Sequence, residues 1–321
     1  MKVTLGIDIG GTNTVFGFVD EAFLCQWSDK VETQEYKTAK ALFHAIFKRV
    51  DEALKNHNGI DLTGIGVGVP NGSYYTGKVE KAPNLPWKDA DIKSLAQDFY
   101  PVPVAVTNDA NAAAIAEMKF GAARGMKDFI EVTLGTGLGS GIVVNGKIVY
   151  GSDGFAGEMG HTIVKEYGRK CSCGRRGCLE TYVSATGIKR TVLELLASEV
   201  KESKLKDIPF DRLSALKIYE EAKAGEWLAL KAFEITGNIL GRALADAAAY
   251  FSPQAIFLFG GLAGAGDLLL KPTRESFEEN LLNIFQGKVK IMPSALVVDN
   301  AAILGAGALI WDLLNTSSES L

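Results

Sequence analysis

Three cysteines and one histidine sit close enough along the chain to hold a metal ion. Cys171, Cys173 and Cys178 follow a Cys-x-Cys-x4-Cys spacing, and His161 lies ten residues before the first of them. Three thiolates and one imidazole suit a tetrahedral Zn²⁺ site of the closed, structural kind, with no position left for a reacting water. Gly174 and Gly177 permit the tight turn that such a loop needs. A disulfide with one spare thiol and plain buried cysteines are the competing readings. Clustered cysteines in a cytosolic chain point to metal more often than to a disulfide.

A second candidate is Asn108-Asp109, between an apolar run (Pro101 to Thr107) and an Ala-rich one that starts at Ala110. A carboxylate at a strand-to-helix junction is placed to accept the proton of an attacking hydroxyl. The same dipeptide is also a good helix N-cap, and local sequence alone favours the cap.

Three Gly-rich turns follow apolar runs: Asp8 to Asn13, Gly135 to Gly141 and Gly260 to Gly266. Glycine lets backbone approach a ligand and aim several N–H groups at phosphate oxygens. One such turn makes an ordinary hairpin, whereas three in one chain point to a nucleotide. The P-loop pattern GxxxxGK[ST] is absent. Gly135-Thr136-Gly137-Leu138-Gly139 begins like a dinucleotide fingerprint, but the next Gly is misplaced and a strand follows in place of a helix. Asp8, at the end of the first strand, is suited to hold Mg²⁺ directly or through water. It is equally suited to cap its own turn.

These residues need elements to position them. Lys2 to Ile9 and Thr14 to Val19 alternate in the β manner around Gly10-Gly11-Thr12-Asn13, which predicts a hairpin. A third strand is expected over Phe23 to Val31. Leu42, Ile46, Val50 and Leu54 predict a helix over 37–56. Strands are expected at Ile65 to Val69 and Pro101 to Thr107, and a helix from Ala110 to about Lys119. The pattern then restarts with strands Phe129 to Leu134 and Ser140 to Val144, suggesting two related halves. Helices over 184–198, 214–223 and 226–250, a strand Ala255 to Phe259 leading into another helix, a strand Val289 to Ile291 and a helix over about 300–314 complete an α/β chain. Its expected form is two lobes with a cleft between them.

Bulk properties narrow the function classes. A length of 321 residues suggests two domains. Net charge is −4 with no basic block, which argues against nucleic acid as a partner. The most apolar stretch, Leu240 to Gly266, contains Arg242 and Asp246 and is interrupted at Ser252-Pro253, so no membrane span is expected. A strand starting almost at residue 1 leaves no room for a signal peptide, and a cytoplasmic location is expected. The tail from Asn315 to Leu321 is polar and expected to fray.

Four segments in order carry a resemblance that spans almost the whole chain. They are DIGGTNT at 8–14, TNDANAAA at 107–114, LGTGLGSG at 134–141, and GEMGHTIV with CSCGRRGCLE between 157 and 180. On these residues the chain resembles the bacterial ROK-family sugar kinases, within the actin-like ATPase (ribonuclease H-like) superfamily. The resemblance implies a smaller α/β domain over 1–118 completed by 300–321, and a larger one over 119–299 with the zinc loop. It implies ATP as phosphoryl donor with Mg²⁺. Asp8, Gly10, Gly11, Thr12, Asn13, Gly135, Thr136 and Gly137 are then expected at the phosphates, and Gly260 and Gly261 near the adenosine.

The same resemblance casts Asp109 as general base and Asn108 as a sugar ligand. Glu158 and Glu180 are expected to accept bonds from sugar hydroxyls, with a surface charge or structural ion pair as the alternative for each. His161 is expected to approach the sugar while binding metal. Gly66, Gly68 and Asn84 match further sugar positions, Asn84 within Ala82-Pro83-Asn84-Leu85-Pro86-Trp87. One departure is Pro70-Asn71-Gly72 where the family often has Pro-Gly; Asn tolerates positive φ.

The implied activity is transfer of the ATP γ-phosphate to the 6-hydroxyl of glucose, with mannose or N-acetylhexosamines as further substrates. Kinases for N-acetylmannosamine, N-acetylglucosamine, fructose and allose share most of these motifs. The family also contains sugar-responsive transcription regulators, which carry a DNA-binding region before the first glycine loop. That loop starts here at residue 8, which disfavours a regulator. A homodimer is expected because dimers are common in the family.

Overall fold

The computed structural model describes residues 1–57, 59–82, 84–296 and 298–318. Pro83 of the Ala82 to Trp87 segment and residues 319–321 of the polar tail lie outside the described residues. The chain forms two units, one of residues 1–125, 148–157 and 295–321, the other of 126–147 and 158–294.

The first unit is built on a five-stranded sheet. Strands β1 (Lys2–Ile9) and β2 (Asn13–Asp20) form the expected antiparallel hairpin, with Ile9 opposite Thr14. β3 (Cys25–Glu32) continues it. It begins later than Phe23 because Asp20 Oδ1 accepts the Leu24 amide at 2.8 Å and Phe23 takes φ 60°, closing a turn. β4 (Asp61–Gly68) lies parallel to β1. Short β5 (Lys78–Val79), β6 (Ala90–Asp91) and helix α2 (Ile92–Gln97) then lead to β7 (Val104–Thr107), parallel to β4. β7 starts at Val104 because Pro101 and Pro103 have no N–H to give a ladder. The strand order is β3-β2-β1-β4-β7.

The two faces of this sheet are covered differently. Odd residues of β1 (Val3, Leu5, Ile7 and Ile9) pack with Leu42, Phe43, Ile46 and Phe47 of helix α1 (Ala39–Asn56). Even positions face helix α8 (Val298–Ser318), and there the strands carry glycine. A Cβ on Gly6 would sit 2.1 Å from the Ile303 carbonyl oxygen, and one on Gly66 would sit 1.8 Å from that of Ala306. Glycine therefore brings helix and sheet backbones into direct contact. This packing accounts for Gly66, which the resemblance had placed near a sugar.

Helix α3 (Asp109–Phe120) packs on α8 and is buried along nearly its whole length. Its alanines allow that approach: a Cβ on Gly305 of α8 would meet the Ala112 carbonyl oxygen at 2.0 Å. Residues 148–157 join this unit through a Tyr74–Tyr150 ring stack at 4.0 Å and a Ser73 hydroxyl donating to the Asp153 carbonyl at 2.8 Å.

The second unit repeats the plan. β8 (Phe129–Leu134) and β9 (Leu138–Val144) are an antiparallel hairpin, extended by β10 (Lys147–Ile148). β11 (Ala255–Phe259) lies parallel to β8 and to β12 (Lys290–Pro293). The order β10-β9-β8-β11-β12 matches the first sheet strand for strand. β9 starts at Leu138, so the hairpin turn is shorter than the glycine pattern predicts. Helices α4 (Ala185–Ser198), α5 (Ala215–Lys223), α6 (Trp227–Phe251) and α7 (Asp267–Asn280) belong to this unit. α6 stops where Ser252 turns left-handed, at φ 46°, before Pro253. Among the described residues no helix is long and apolar enough to cross a membrane.

Candidate active site and metal centre

In the first unit, three parallel strands end side by side. Asp8 of β1 is paired in register with Gly68 of β4, and Gly68 with Thr107 of β7. Loops at the carboxyl ends of such strands are the usual ligand position in α/β sheets. Gly68 is what lets the two acids converge: a Cβ there would lie 3.3 Å from Asp8 Oδ1 and 3.6 Å from the Asp109 Cα.

Asn108 caps α3, its Oδ1 accepting the Ala110 amide at 2.9 Å, and Asp109 Oδ1 accepts the same amide at 2.9 Å. The cap reading therefore holds for Asn108 without consuming Asp109, whose second oxygen is not used in that bond. Solvent reaches Asp109. Burial by the protein around it still raises its pKa, while backbone N–H groups pull the other way. Asp8 is pushed up to about 8, first by burial and then by the neighbouring Asp109 charge. Two close carboxylates that resist joint ionisation form an oxygen donor set that fits a hard cation such as Mg²⁺. Asp8 is the residue that would hold it, and the cation's charge would favour ionisation of both acids.

The first glycine loop is fixed to its surroundings. The Gly10 amide donates to the Asn13 carbonyl at 3.0 Å, and the Thr33 amide to the Thr12 carbonyl at 2.8 Å. Gly11 abuts Asn84: a Cβ would lie 3.1 Å from the Asn84 carbonyl oxygen. The Gln34 side chain donates to the Gly11 carbonyl, and Asn84 remains exposed. Asn71 takes φ 56° and its side-chain amide donates to the Glu80 carbonyl at 2.9 Å, so the turn after Pro70 closes without the family's Pro-Gly.

In the second unit, the turn Gly135-Thr136-Gly137 sits at the end of β8. Gly260, with φ 99°, follows the adjacent β11, and a Cβ on it would lie 2.8 Å from the Leu134 carbonyl oxygen. Gly261 has open space around its Cα. Glu180 reaches the turn, Oε2 accepting the Leu138 amide at 3.1 Å. Its other oxygen lies 3.8 Å from the Cys171 sulfur.

The metal candidates come together. The ligand atoms of His161, Cys171, Cys173 and Cys178 all lie within 4.8 Å of one another. The Cys173 and Cys178 sulfurs are 3.7 Å apart, and Cys171 Sγ is 3.6 Å from His161 Nδ1. A tetrahedral Zn²⁺ with bonds of about 2.3 Å to sulfur sets its ligands about 3.8 Å apart, so the cluster fits zinc. Gly174 and Gly177 take φ 90° and 80° in the loop that gathers the thiols, and the Arg175 side chain donates to the His161 carbonyl at 2.7 Å. His161 Nε2 faces Glu158 Oε2 at 3.9 Å, with Glu158 exposed. All four cysteines are free of disulfides.

Several contributors carried no clear signal in the sequence. Arg169 is buried, donating from Nε to Glu194 Oε1 at 2.7 Å and from Nη1 to the Thr181 and Gly187 carbonyls at 2.6 and 3.0 Å. It ties the metal loop to α4. Ser184 and Thr186, the cap and first turn of α4, also touch the site. A Ser followed three residues later by Gly187 in an apolar helix offered only an N-cap hint.

The model of the ROK family matches residues 4–312. The chain is 37% identical over 315 residues to a glucokinase of Halalkalibacterium halodurans, covering 95% of this chain and 94% of that one. It is 30% identical over 311 residues to a xylose repressor of Caldicellulosiruptor bescii, covering 95% of this chain and 77% of the repressor. Among solved structures, a ROK family glucokinase from Streptomyces griseus in complex with glucose and AMPPNP superposes with a TM-score of 0.80. That pair is 33% identical, over 96% of this chain and 98% of the other.

Proposed function

The chain belongs to the ROK family, and from that premise we propose that it is an ATP-dependent hexose kinase that transfers the γ-phosphate of ATP to the 6-hydroxyl of glucose. The observation that carries this reading is the meeting of Asp8, Gly68 and Asp109 at the ends of three parallel strands. The glucokinase of H. halodurans and the glucose-bound glucokinase of S. griseus support glucose as the substrate.

In this reading Asp109 accepts the proton of the attacking hydroxyl as that oxygen bonds to the γ-phosphorus and ADP departs. Burial raises its pKa, which makes it a better proton acceptor than an ordinary carboxylate. Asn84, Asn108, Glu158, His161 and Glu180 orient the sugar, with Gly68 beside Asp109. The backbone of Asp8 to Asn13 and of Gly135 to Gly137 steadies the phosphates, since phosphoryl transfer depends mostly on positioning and charge stabilisation. Gly260 and Gly261 lie near the adenosine, with open space beside Gly261. Asp8 would hold Mg²⁺, which would supply positive charge to offset that of the phosphates. Zn²⁺ in the His161, Cys171, Cys173 and Cys178 cluster would fix the loop that presents Glu180. A cytoplasmic homodimer completes the proposal.

The test is a coupled assay with ATP and a panel of glucose, mannose, fructose, N-acetylglucosamine and N-acetylmannosamine, reporting kcat/KM for each. Glucose is expected to lead. No turnover with any sugar would refute the kinase reading, and a preference for an N-acetylhexosamine would refute glucose alone. The repressor relative supports a second reading, in which sugar binding serves regulation. Asp109 and the glycine loops favour the enzyme, and a gel-shift titration beside the kinase assay separates the two.

A further inference from the structure

Glu180 enters the proposed function as a sugar ligand, yet one of its carboxylate oxygens is held at the glycine turn at the end of β8. Three bonds join that turn to residues 180–186. Glu180 Oε2 accepts the Leu138 amide at 3.1 Å. The Ala185 amide donates to the Gly135 carbonyl at 2.9 Å. The Thr186 hydroxyl donates to the Thr136 carbonyl at 3.0 Å. Each residue of the turn, and the one after it, is thus held or touched from this one segment. Gly137 fits the same scheme, because a Cβ there would lie 2.3 Å from Glu180 Oε2. Its lack of a side chain admits the Glu180 carboxylate as well as any phosphate.

The segment itself is anchored at both ends. Cys178, in the metal cluster, immediately precedes it, and the Ser184 hydroxyl donates to the Glu180 carbonyl at 2.8 Å while capping α4. Ser184 Oγ also lies 3.0 Å from Thr186 Oγ1.

We propose that Glu180 and Thr186 are positioning residues for the nucleotide, holding the Gly135 to Gly137 turn in the shape that receives phosphate. The inference rests on the kinase reading. It predicts that Glu180 and Thr186 set nucleotide affinity even when no sugar is bound. The turn then arrives preformed, so less of the binding energy is spent on ordering it.

The experiment is titration calorimetry of the full-length chain with Mg²⁺·AMPPNP in the absence of sugar, followed by steady-state kinetics. Thr186→Val removes one hydrogen bond and is expected to weaken nucleotide binding about fivefold. Nucleotide KM should rise while sugar KM stays at the wild-type value, and Thr186→Ser should restore affinity. Glu180→Ala removes a bond to a charged acceptor and is expected to weaken sugar-free nucleotide binding by about tenfold. Thermal melts establish that each variant is folded, and Thr186→Val carries the test if Glu180→Ala does not fold. Wild-type nucleotide affinity in folded Thr186→Val would overturn the inference and leave the kinase reading standing. A wild-type chain that binds no adenine nucleotide would overturn both.

Discussion

Replacing Asp109 by Asn separates the base from the cap at one position. The side chain is open to solvent, and its Oδ1 accepts an amide that Asn108 also accepts, each at 2.9 Å. Asn keeps that acceptor, so the start of α3 should survive with a stability change below about 0.5 kcal/mol. Turnover should not survive. A positioned general base contributes about a hundredfold to ten-thousandfold, so kcat should fall by that factor, equivalent to about 3–5 kcal/mol of barrier. A second readout comes from Asp8, pushed from 3.8 to about 8 by burial and by the Asp109 charge. Between those pH values the folded chain keeps a proton that the unfolded chain has lost. Stability present at low pH is therefore lost as pH rises through 8. Removing the Asp109 charge should lower the Asp8 pKa without normalising it, because burial is the larger cause. In Mg²⁺-free protein, the fall in urea midpoint from about pH 5 to about pH 8 should be shallower in Asp109→Asn. The assays are a coupled kinase measurement and urea melts at the two pH values. A folded variant that keeps more than about a tenth of wild-type kcat would refute the base assignment.

Three other perturbations probe the scaffold. Gly66→Ala should destabilise the first unit by at least about 3 kcal/mol, since its Cβ would sit 1.8 Å from the Ala306 carbonyl oxygen. A denaturant melt checks it, and a stable variant with altered sugar affinity alone would return Gly66 to the sugar site. Stripping metal with a chelator should lower the melting temperature and raise the sugar KM, because His161 and Glu180 are positioned by the same loop as Cys171 and Cys178. Unchanged sugar affinity in folded, metal-free protein would contradict that. Arg169→Lys keeps the charge but loses the fork that reaches Thr181, Gly187, Thr191 and Glu194. Urea melts should show a loss of about 3 kcal/mol.

Local signals were strong where one element decides its own fate. The β1–β2 hairpin, α1 and the restart at β8 were legible because alternation, helical spacing and glycine turns act over a few residues. The metal cluster was legible because its thiols share one short loop. The short strands β5, β6 and β10 were not, since two-residue ladders leave no period to read. The role of Gly66 was hidden for a different reason. Its partner, Ala306, lies 240 residues away, and a glycine that admits a helix looks the same in sequence as one that admits a ligand.

That ambiguity applies with most force to the glycine turns. Three of them argued for a nucleotide, and contact with it was the natural reason for the Gly they contain. The geometry distributes the reasons differently. Gly11 clears the Asn84 carbonyl, Gly260 clears the Leu134 carbonyl, and Gly137 clears the Glu180 carboxylate. In each case the missing side chain makes room for protein. A phosphate-binding turn needs its amides aimed at the ligand, and protein atoms packed against the empty Cα side can fix that aim before any ligand arrives. Glycine in such turns then does two things at once: it allows the tight backbone path, and it lets a neighbouring acid or carbonyl lock that path. Substituting Gly137 would disturb Glu180 first and the phosphate only through it. For that reason nucleotide affinity measured without sugar discriminates better than overall activity, which falls whichever contact is lost.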